Sequence, residues 1–91
     1  LQYLQLGRNK FHGPVPTQLG NLLRLEVLDL ATNTLATRLP TSIGGLTALT
    51  SLRLAENGLT GTLPTEMGML VNLNDLQLYI NKFTGNIPTY L

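Results

Sequence analysis

The sequence repeats itself at a fixed interval of 24 residues. The segment "NKFHGPVP", which begins at Asn9, returns as "NTLATRLP", "NGLTGTLP" and "NKFTGNIP". The repeated asparagines are Asn9, Asn33, Asn57 and Asn81, and the prolines that follow them are Pro16, Pro40, Pro64 and Pro88. Leucines recur at the first, fourth and sixth places of every copy, beginning with Leu1. A period of this length indicates a solenoid, in which each repeat packs against its neighbours.

Each repeat begins with the pattern of a short β-strand. In "LQYLQLGRN" the residues at the fourth and sixth places are apolar, and their neighbours point the other way. The identical spacing predicts parallel strands that stack in register. Asn at the ninth place follows the strand, and its buried amide can satisfy backbone groups in its own turn and the next one. We therefore predict that Asn9, Asn33, Asn57 and Asn81 form a structural ladder.

The rest of each repeat returns the chain to the next strand. We expect two layers of core residues here, the first being Phe11, Leu35, Leu59 and Phe83 and the second Val15, Leu39, Leu63 and Ile87. Proline is followed by threonine in every copy, at Thr17, Thr41, Thr65 and Thr89. These hydroxyls are predicted to cap a short helical or 3₁₀ segment. Gly20, Gly44 and Gly68 are predicted to close that segment at its C-terminal side.

These residues follow the pattern "LxxLxLxxNxLxGxIPxxLGxLxx", which resembles the consensus of the plant-type, 24-residue leucine-rich repeat from Leu1 to Leu91. The resemblance implies a leucine-rich repeat solenoid: a right-handed, curved α/β-type coil with short parallel strands on the concave face and 3₁₀ or irregular segments on the convex side. Proteins with this spelling are mostly receptor-like kinase and receptor-like protein ectodomains and wall-associated inhibitors, with related repeats in algae and protists. An extracellular, cell-surface or lumenal location is therefore expected.

Two features depart from the family pattern. Thr37 replaces the glycine found at Gly13, Gly61 and Gly85. Since a β-branched residue tolerates a positive φ poorly, either this position is not left-handed or the second repeat bends differently. The chain also contains no Asn-x-Ser/Thr sequon, which weakens the cell-surface interpretation.

The organisation predicted is one array over residues 1–91, with repeats 1–24, 25–48, 49–72 and 73–91. The last repeat is incomplete, and the sequence shows no polar capping unit. Because a solenoid needs capped ends to cover its terminal core, we interpret the chain as an internal fragment of a longer protein.

Composition and motifs exclude several classes of function. A net charge of +1 gives no reason to expect nucleic acid as a partner, and no run of apolar residues predicts membrane contact within this segment. Any membrane anchor would lie elsewhere in the full-length chain. Asp29, Glu56 and Asp75 lie in different repeats, and no nucleophile-base pair, phosphate loop or metal spacing is present, so we expect neither catalysis nor a cofactor. The single histidine, His12, is interpreted as a solvated loop residue.

Candidate contact residues come from the third, fifth, seventh and eighth places, which vary while the framework does not. The predicted partner-contact residues on the concave face are Tyr3, Gln5, Arg8, Asp29, Arg53, Glu56, Asp75, Gln77, Tyr79 and Ile80. An unconstrained solvated face would vary in the same way. Asp29 and Arg53 occupy one place on adjacent strands and are expected to pair with each other. Tyr79 and Ile80 form an apolar pair that either contacts a partner or packs on a neighbouring repeat.

The function predicted is a non-catalytic module that binds a protein, a peptide or another ligand within a larger extracellular or lumenal receptor-like protein. Four short strands offer a few hundred Å², below the roughly 800 Å² that one partner contributes to a standard interface, so further repeats would take part. The alternative is a structural subunit docked permanently in a larger assembly. A narrower variant uses the threonine column at Thr17, Thr41, Thr65 and Thr89 as a regular array for ice or a polysaccharide.

Overall fold

The computed structural model describes residues 2–85. The predictions made for Leu1, Ile87, Pro88, Thr89 and Leu91 lie outside the described residues. The elements in chain order are β1 (Tyr3–Gln5), β2 (His12–Gly13), the 3₁₀ helix η1 (Thr17–Asn21), β3 (Val27–Asp29), β4 (Thr34–Arg38), η2 (Thr41–Gly45), β5 (Ser51–Arg53), β6 (Gly58–Gly61), η3 (Thr65–Met69), β7 (Asp75–Gln77) and β8 (Lys82–Phe83).

The predicted strands form a parallel sheet in the order β1-β3-β5-β7. Its register follows the 24-residue period, since Leu4 pairs with Leu28, Leu28 with Leu52 and Leu52 with Leu76. The leucines point into the core because side chains alternate along a strand. The residues at the third and fifth places therefore point to the opposite, concave face, together with the seventh and eighth places that follow each strand.

A second parallel sheet, in the order β2-β4-β6-β8, was not predicted from the sequence. Its partners are offset by two residues from the repeat, as in the pairing of His12 with Thr34 and of Thr60 with Lys82. The strands are too short for alternation to identify them. In each repeat, the strand of this second sheet lies along the chain between the concave strand and the 3₁₀ helix.

The core lies between the two sheets and the layer of 3₁₀ helices. Most leucines of the second and third repeats are buried, and Leu28, Leu49 and Leu59 are completely so, while Leu63 is partly buried against them. Each such side chain stabilises the fold by about 1.5–3 kcal/mol relative to an exposed one. The prediction was wrong for Phe11, which remains 44% exposed. The coil that contains Phe11 has a neighbouring coil in this chain on one side only.

The ladder amides join each coil to the preceding one. Asn33 is buried and donates from Nδ2 to the carbonyls of Leu6 (3.1 Å) and Leu30 (3.0 Å), while its Oδ1 accepts from the N–H of Phe11 (3.2 Å). The equivalent amides of the third and fourth repeats make the same bonds. Asn9 bonds only within its own turn. We expected bonds to the following turn, whereas the amides reach the preceding coil.

The 3₁₀ helices begin without a threonine cap, contrary to prediction. Pro16, Pro40 and Pro64 occupy the N-cap position in extended conformation, and none of the three helices has a side-chain cap hydrogen bond. Thr17, Thr41 and Thr65 are the first helical residues, and all three are exposed. The proline already holds the extended backbone that an N-cap requires. Within residues 2–85 every helix is a 3₁₀ segment of five residues, and none has the length or apolar character of a membrane span.

The helix glycines serve close packing rather than termination. Gly44 lies inside η2, whose C-cap is Leu46, and a Cβ on Gly44 would lie 2.7 Å from the carbonyl oxygen of Glu66 in the next coil. Gly20 makes the equivalent close approach, and Gly68 occupies the same place in η3. The prediction that these glycines close the segment was wrong, because only a residue without a side chain lets neighbouring helices stack this closely.

Thr37 is left-handed, with φ 65°, although it is β-branched. The glycines at the same place in the other repeats have φ between 74° and 84°. Thr37 pairs with Leu59 just as Gly13 pairs with Leu35, so the second repeat keeps the common register. Neither explanation offered for this threonine is therefore correct. The coil holds Thr37 in a conformation that costs about 1–2 kcal/mol for a residue with a side chain.

Candidate functional site

The candidate site is the concave face, formed by the outward side chains of the sheet β1-β3-β5-β7 and of the seventh and eighth places. It contains a shallow depression of about 450 Å³. The predicted contact residues that line it are Gln5, Arg8, Asp29, Arg53, Glu56, Gln77 and Tyr79. Tyr3, Asp75 and Ile80 do not line it. The depression therefore brings most of the predicted contact residues together, from all four repeats.

A polar cluster surrounds Asp75 at one side of the depression. Oδ2 of Asp75 accepts hydrogen bonds from Arg53 Nε and Ser51 Oγ, both at 2.9 Å, and Oδ1 accepts one from Gln77 Nε2 at 3.2 Å. The Arg53 bond, with those from Ser51 and Gln77, holds the pKa of Asp75 below its ordinary value of 3.8, against the opposing effect of burial. The cluster fixes the Arg53 stem while its side chain stays 43% exposed.

The predicted pair between Asp29 and Arg53 does not form. Oδ1 of Asp29 accepts from the backbone N–H of Ala31 at 3.0 Å, two residues further along its own chain segment. Arg53 turns instead to Asp75 on the following strand. Asp29 is already engaged by its own turn, whereas Asp75 offers both carboxylate oxygens to groups on the sheet.

The seventh place gives the depression its floor and its end. Gly7 and Ala31 line the depression in the first two coils and Tyr79 lines it in the fourth, whereas Ala55 of the third coil is buried. Tyr79 is 58% exposed, and its neighbour Ile80 is 68% exposed. Neither side chain is covered by a neighbouring repeat in the described chain, so the apolar pair is exposed to solvent.

The residues at the eighth place share an unusual backbone. Arg8, Thr32, Glu56 and Ile80 all have a positive φ, between 55° and 59°. None is glycine or asparagine, the residue types that signal a left-handed conformation, so it could not be predicted from the residue types at this place. The conformation turns the chain from the concave face toward the second sheet. Oε2 of Glu56 accepts from Thr32 Oγ1 at 3.2 Å, which links neighbouring coils along this edge.

One residue of the site was missed in the sequence, and another lies in a different element from the one expected. Ser51 belongs to the Asp75 cluster and is only 8% exposed; a serine at a place otherwise held by larger side chains was the available signal. His12 lies in β2 rather than in a loop, and it is exposed. Across residues 2–85 no group of histidine, cysteine and acidic side chains could hold a metal ion.

Comparison with known proteins relates the chain to repeat-containing plant proteins. A family model described as a leucine-rich repeat region matches residues 1–88. No curated protein sequence is a significant match.

Solved structures with the same fold include receptor ectodomains. The ectodomain of the Arabidopsis thaliana receptor kinase GASSHO1/SCHENGEN3, in complex with CASPARIAN STRIP INTEGRITY FACTOR 2, is 42% identical with a TM-score of 0.97, over 99% of this chain and 11% of that one. The Arabidopsis receptor kinase HAESA, in complex with the peptide hormone IDA and the co-receptor SERK1, is 38% identical with a TM-score of 0.94, over 99% and 15%.

A plant ice-binding protein is also similar, at 34% identity and a TM-score of 0.83, over 89% of this chain and 26% of that one. The chain thus spans only a fraction of the length of the proteins that it resembles, between 11% and 26% for these three.

Proposed function

Because the chain belongs to the leucine-rich repeat family, we propose that it is a non-catalytic module that binds a protein or peptide on its concave face. The observation that carries this proposal is the depression on that face, where an arginine held by Asp75, two small residues and an exposed aromatic side chain lie together. Arginine and tyrosine are enriched among the residues that dominate binding energy. The similar ectodomains of GASSHO1/SCHENGEN3 and HAESA are described in complex with protein or peptide partners.

The shape of the depression suits an extended peptide segment. The residues that line it come from all four strands of the concave sheet, which at about 4.8 Å per strand gives a length of roughly 15 Å. Arg53 can offer its remaining guanidinium N–H groups to a carboxylate or carbonyl, because the Asp75 bond uses Nε. Tyr79 would receive an apolar side chain at one end, with the exposed Ile80 beside it and outside the depression. An interface of this size is small, so tight binding requires additional repeats.

A peptide selection tests the proposal. Peptides selected from a random displayed library on the immobilised protein should lose binding when Tyr79 or Ile80 is changed to Ala or Arg53 to Gln. Leu23→Ala is the matched control, since Leu23 is 65% exposed and lies outside the concave face. Peptides that survive all three concave substitutions, or that lose binding equally with Leu23→Ala, would contradict the proposal.

The larger context proposed is an extracellular receptor-like protein. Its support is the similarity to receptor ectodomains over nearly the whole chain. Sequencing the full-length transcript tests this part separately. A signal peptide together with a membrane span supports it. A short product that lacks both contradicts it and favours a structural subunit docked permanently in a larger assembly.

A second candidate function is binding to ice. Thr17, Thr41 and Thr65 form an exposed column at the start of successive 3₁₀ helices, and the capping role that would otherwise explain them is absent. A plant ice-binding protein is among the similar structures. Thermal hysteresis of the protein solution, measured beside the Thr41→Val and Thr41→Lys variants, tests it. No hysteresis in the unaltered protein would reject this function.

A further inference from the structure

Asn57 and Gly58 form the one Asn-Gly dipeptide of the sequence. The other ladder asparagines are followed by larger residues, which are Lys10, Thr34 and Lys82. An asparagine loses its side-chain amide most readily before glycine, because no Cβ on the next residue hinders attack by that residue's backbone nitrogen. One of the four ladder places therefore carries a chemically reactive dipeptide, and it lies where the second and third coils join.

The folded protein holds the Asn57 side chain away from this reaction. Nδ2 of Asn57 donates to the carbonyls of Leu30 at 3.0 Å and of Leu54 at 3.1 Å. Oδ1 accepts from the backbone N–H of Leu35 at 3.1 Å. All three partners precede Asn57 in the chain, and Leu30 and Leu35 belong to the second coil. The amide must give up these bonds before its carbonyl carbon can meet the backbone nitrogen of Gly58.

The backbone of the dipeptide is anchored as well. Gly58 lies in β6 and pairs with Ala36 of β4, and a Cβ built on it would lie 3.0 Å from the carbonyl oxygen of Leu35. The backbone N–H of Asn57 donates to the carbonyl of Ile80 in the fourth coil at 3.2 Å. Because polar groups left unpaired in the interior are costly, the reaction requires local opening of the junction between the second and third coils.

We propose that Asn57–Gly58 is a site of spontaneous covalent modification, closed in the folded protein and reactive when the second and third coils separate. The backbone nitrogen of Gly58 attacks Cγ of Asn57 and forms a C–N bond, while the bond from Cγ to Nδ2 breaks. Nδ2 leaves as ammonia and takes up the proton of the Gly58 N–H. One water molecule then opens the succinimide ring, at one carbonyl to give aspartate and at the other to give isoaspartate.

This modification removes one of the amides that join the coils. A carboxylate in place of the Asn57 amide has no N–H to donate, so the carbonyls of Leu30 and Leu54 lose their donor and face a negative charge. The isoaspartate product also adds a methylene group to the main chain directly before β6. Either product hinders closure of the junction, so an opening that lasts long enough for reaction becomes permanent. The modification does not depend on binding at the concave face.

Another ladder asparagine provides the comparison within the same molecule. Asn33 makes the same bonds as Asn57. It is followed by Thr34, whose β-branched side chain hinders attack by its backbone nitrogen. The two residues therefore share the protection that the fold gives and differ in the reactivity of the dipeptide.

Peptide mapping by mass spectrometry tests the proposal. The protein is incubated at mildly alkaline pH, once in buffer and once unfolded in guanidinium chloride, and the loss of amide at each asparagine is followed with time. Folding should slow the reaction at Asn57 about tenfold or more, since opening the junction leaves several buried groups unpaired. In the unfolded protein Asn57 should react faster than Asn33, and Gly58→Thr should remove this difference. The variant need not fold for that measurement.

The effect on the coils is tested by urea unfolding. Asn57→Asp should lower the midpoint of unfolding more than Asn9→Asp, because the Asn9 amide bonds only within its own turn. Equal midpoints for these two variants would contradict the loss of a join between coils.

Three results of the peptide mapping would overturn the proposal. An equal rate at Asn57 in buffer and in guanidinium chloride would show that the ladder gives no protection. Equal rates at Asn57 and Asn33 in the unfolded protein, or an unchanged rate at Asn57 in unfolded Gly58→Thr, would show that the dipeptide is not the reactive element.

Discussion

Arg53 donates a hydrogen bond from Nε to Oδ2 of Asp75 over 2.9 Å and so joins the third strand of the concave sheet to the fourth. Asp29, at the matching place on the preceding strand, is engaged by its own turn instead. The arginine is therefore held toward one side of the concave depression by a partner that is itself bound to Ser51 and Gln77.

A double-mutant cycle measures whether Arg53 interacts with Asp75 or with Asp29. Arg53→Gln and Asp75→Asn should show a coupling energy of about 0.2–1 kcal/mol in urea unfolding, the range for a partly exposed ion pair. The control cycle of Arg53→Gln with Asp29→Asn should show coupling near zero. Coupling that is larger with Asp29 than with Asp75 would show that Arg53 pairs with the preceding strand in solution.

The Asp75 cluster also predicts a pH dependence. The pKa of the Asp75 carboxyl group in the folded protein lies below the ordinary value of 3.8. A carboxyl group with a lowered folded pKa stabilises the protein above its unfolded pKa, and this contribution is lost as the pH falls through the folded pKa. The stability difference between the unaltered protein and Asp75→Asn should thus be constant from about pH 7 to pH 5 and shrink below about pH 4. A difference that grows on acidification would mean that the carboxylate is not stabilised by its neighbours.

The period of the sequence determined the framework but not the partners on its surface. Each leucine place occurs in all copies, so strand, register and core direction could be inferred for Leu28 from Leu4 and Leu52. Arg53, in contrast, has a carboxylate on either neighbouring strand, and the choice depends on whether Asp29 is engaged locally. The left-handed backbone of Ile80 carries no signal in its residue type, because the coil imposes it.

The asparagine ladder should contribute unequally along the chain. Asn33 is 8% exposed and bonds to backbone groups of two coils, whereas Asn9 is exposed and bonds only within its own turn. Asn33→Ala leaves buried carbonyls and an N–H without partners and should lower the free energy of unfolding by about 2–4 kcal/mol. Asn9→Ala should cost less than about 1 kcal/mol, since water can replace its amide. Similar costs for the two variants would contradict a role in joining coils.

Thr37 offers a stabilising substitution. Because this β-branched residue has φ 65°, Thr37→Gly should raise the free energy of unfolding by about 0.5–1 kcal/mol, after allowance for the greater freedom of glycine in the unfolded chain. Thr60→Gly is the control, as Thr60 lies in the neighbouring strand without a positive φ. It should destabilise the protein. Loss of stability in Thr37→Gly would indicate that the threonine side chain makes contacts that outweigh its backbone strain.

Alanine substitutions at two glycines distinguish the energetic cost of steric crowding from the cost of a left-handed backbone conformation. A Cβ on Gly44 would meet the backbone of Glu66 at 2.7 Å, but Gly44 has no positive φ. Gly13 has φ 84°, and no atom lies within 4 Å of a Cβ built there. Gly13→Ala should therefore cost only the conformational term, about 1–2 kcal/mol. Gly44→Ala must push two coils apart at the 3₁₀ layer and should cost about 2–3 kcal/mol or more, in the upper range for overpacked interiors. Urea unfolding of both variants measures the difference. Should Gly44→Ala be the milder change, the 3₁₀ helices would be free to separate, and close stacking would not determine the spacing of the coils.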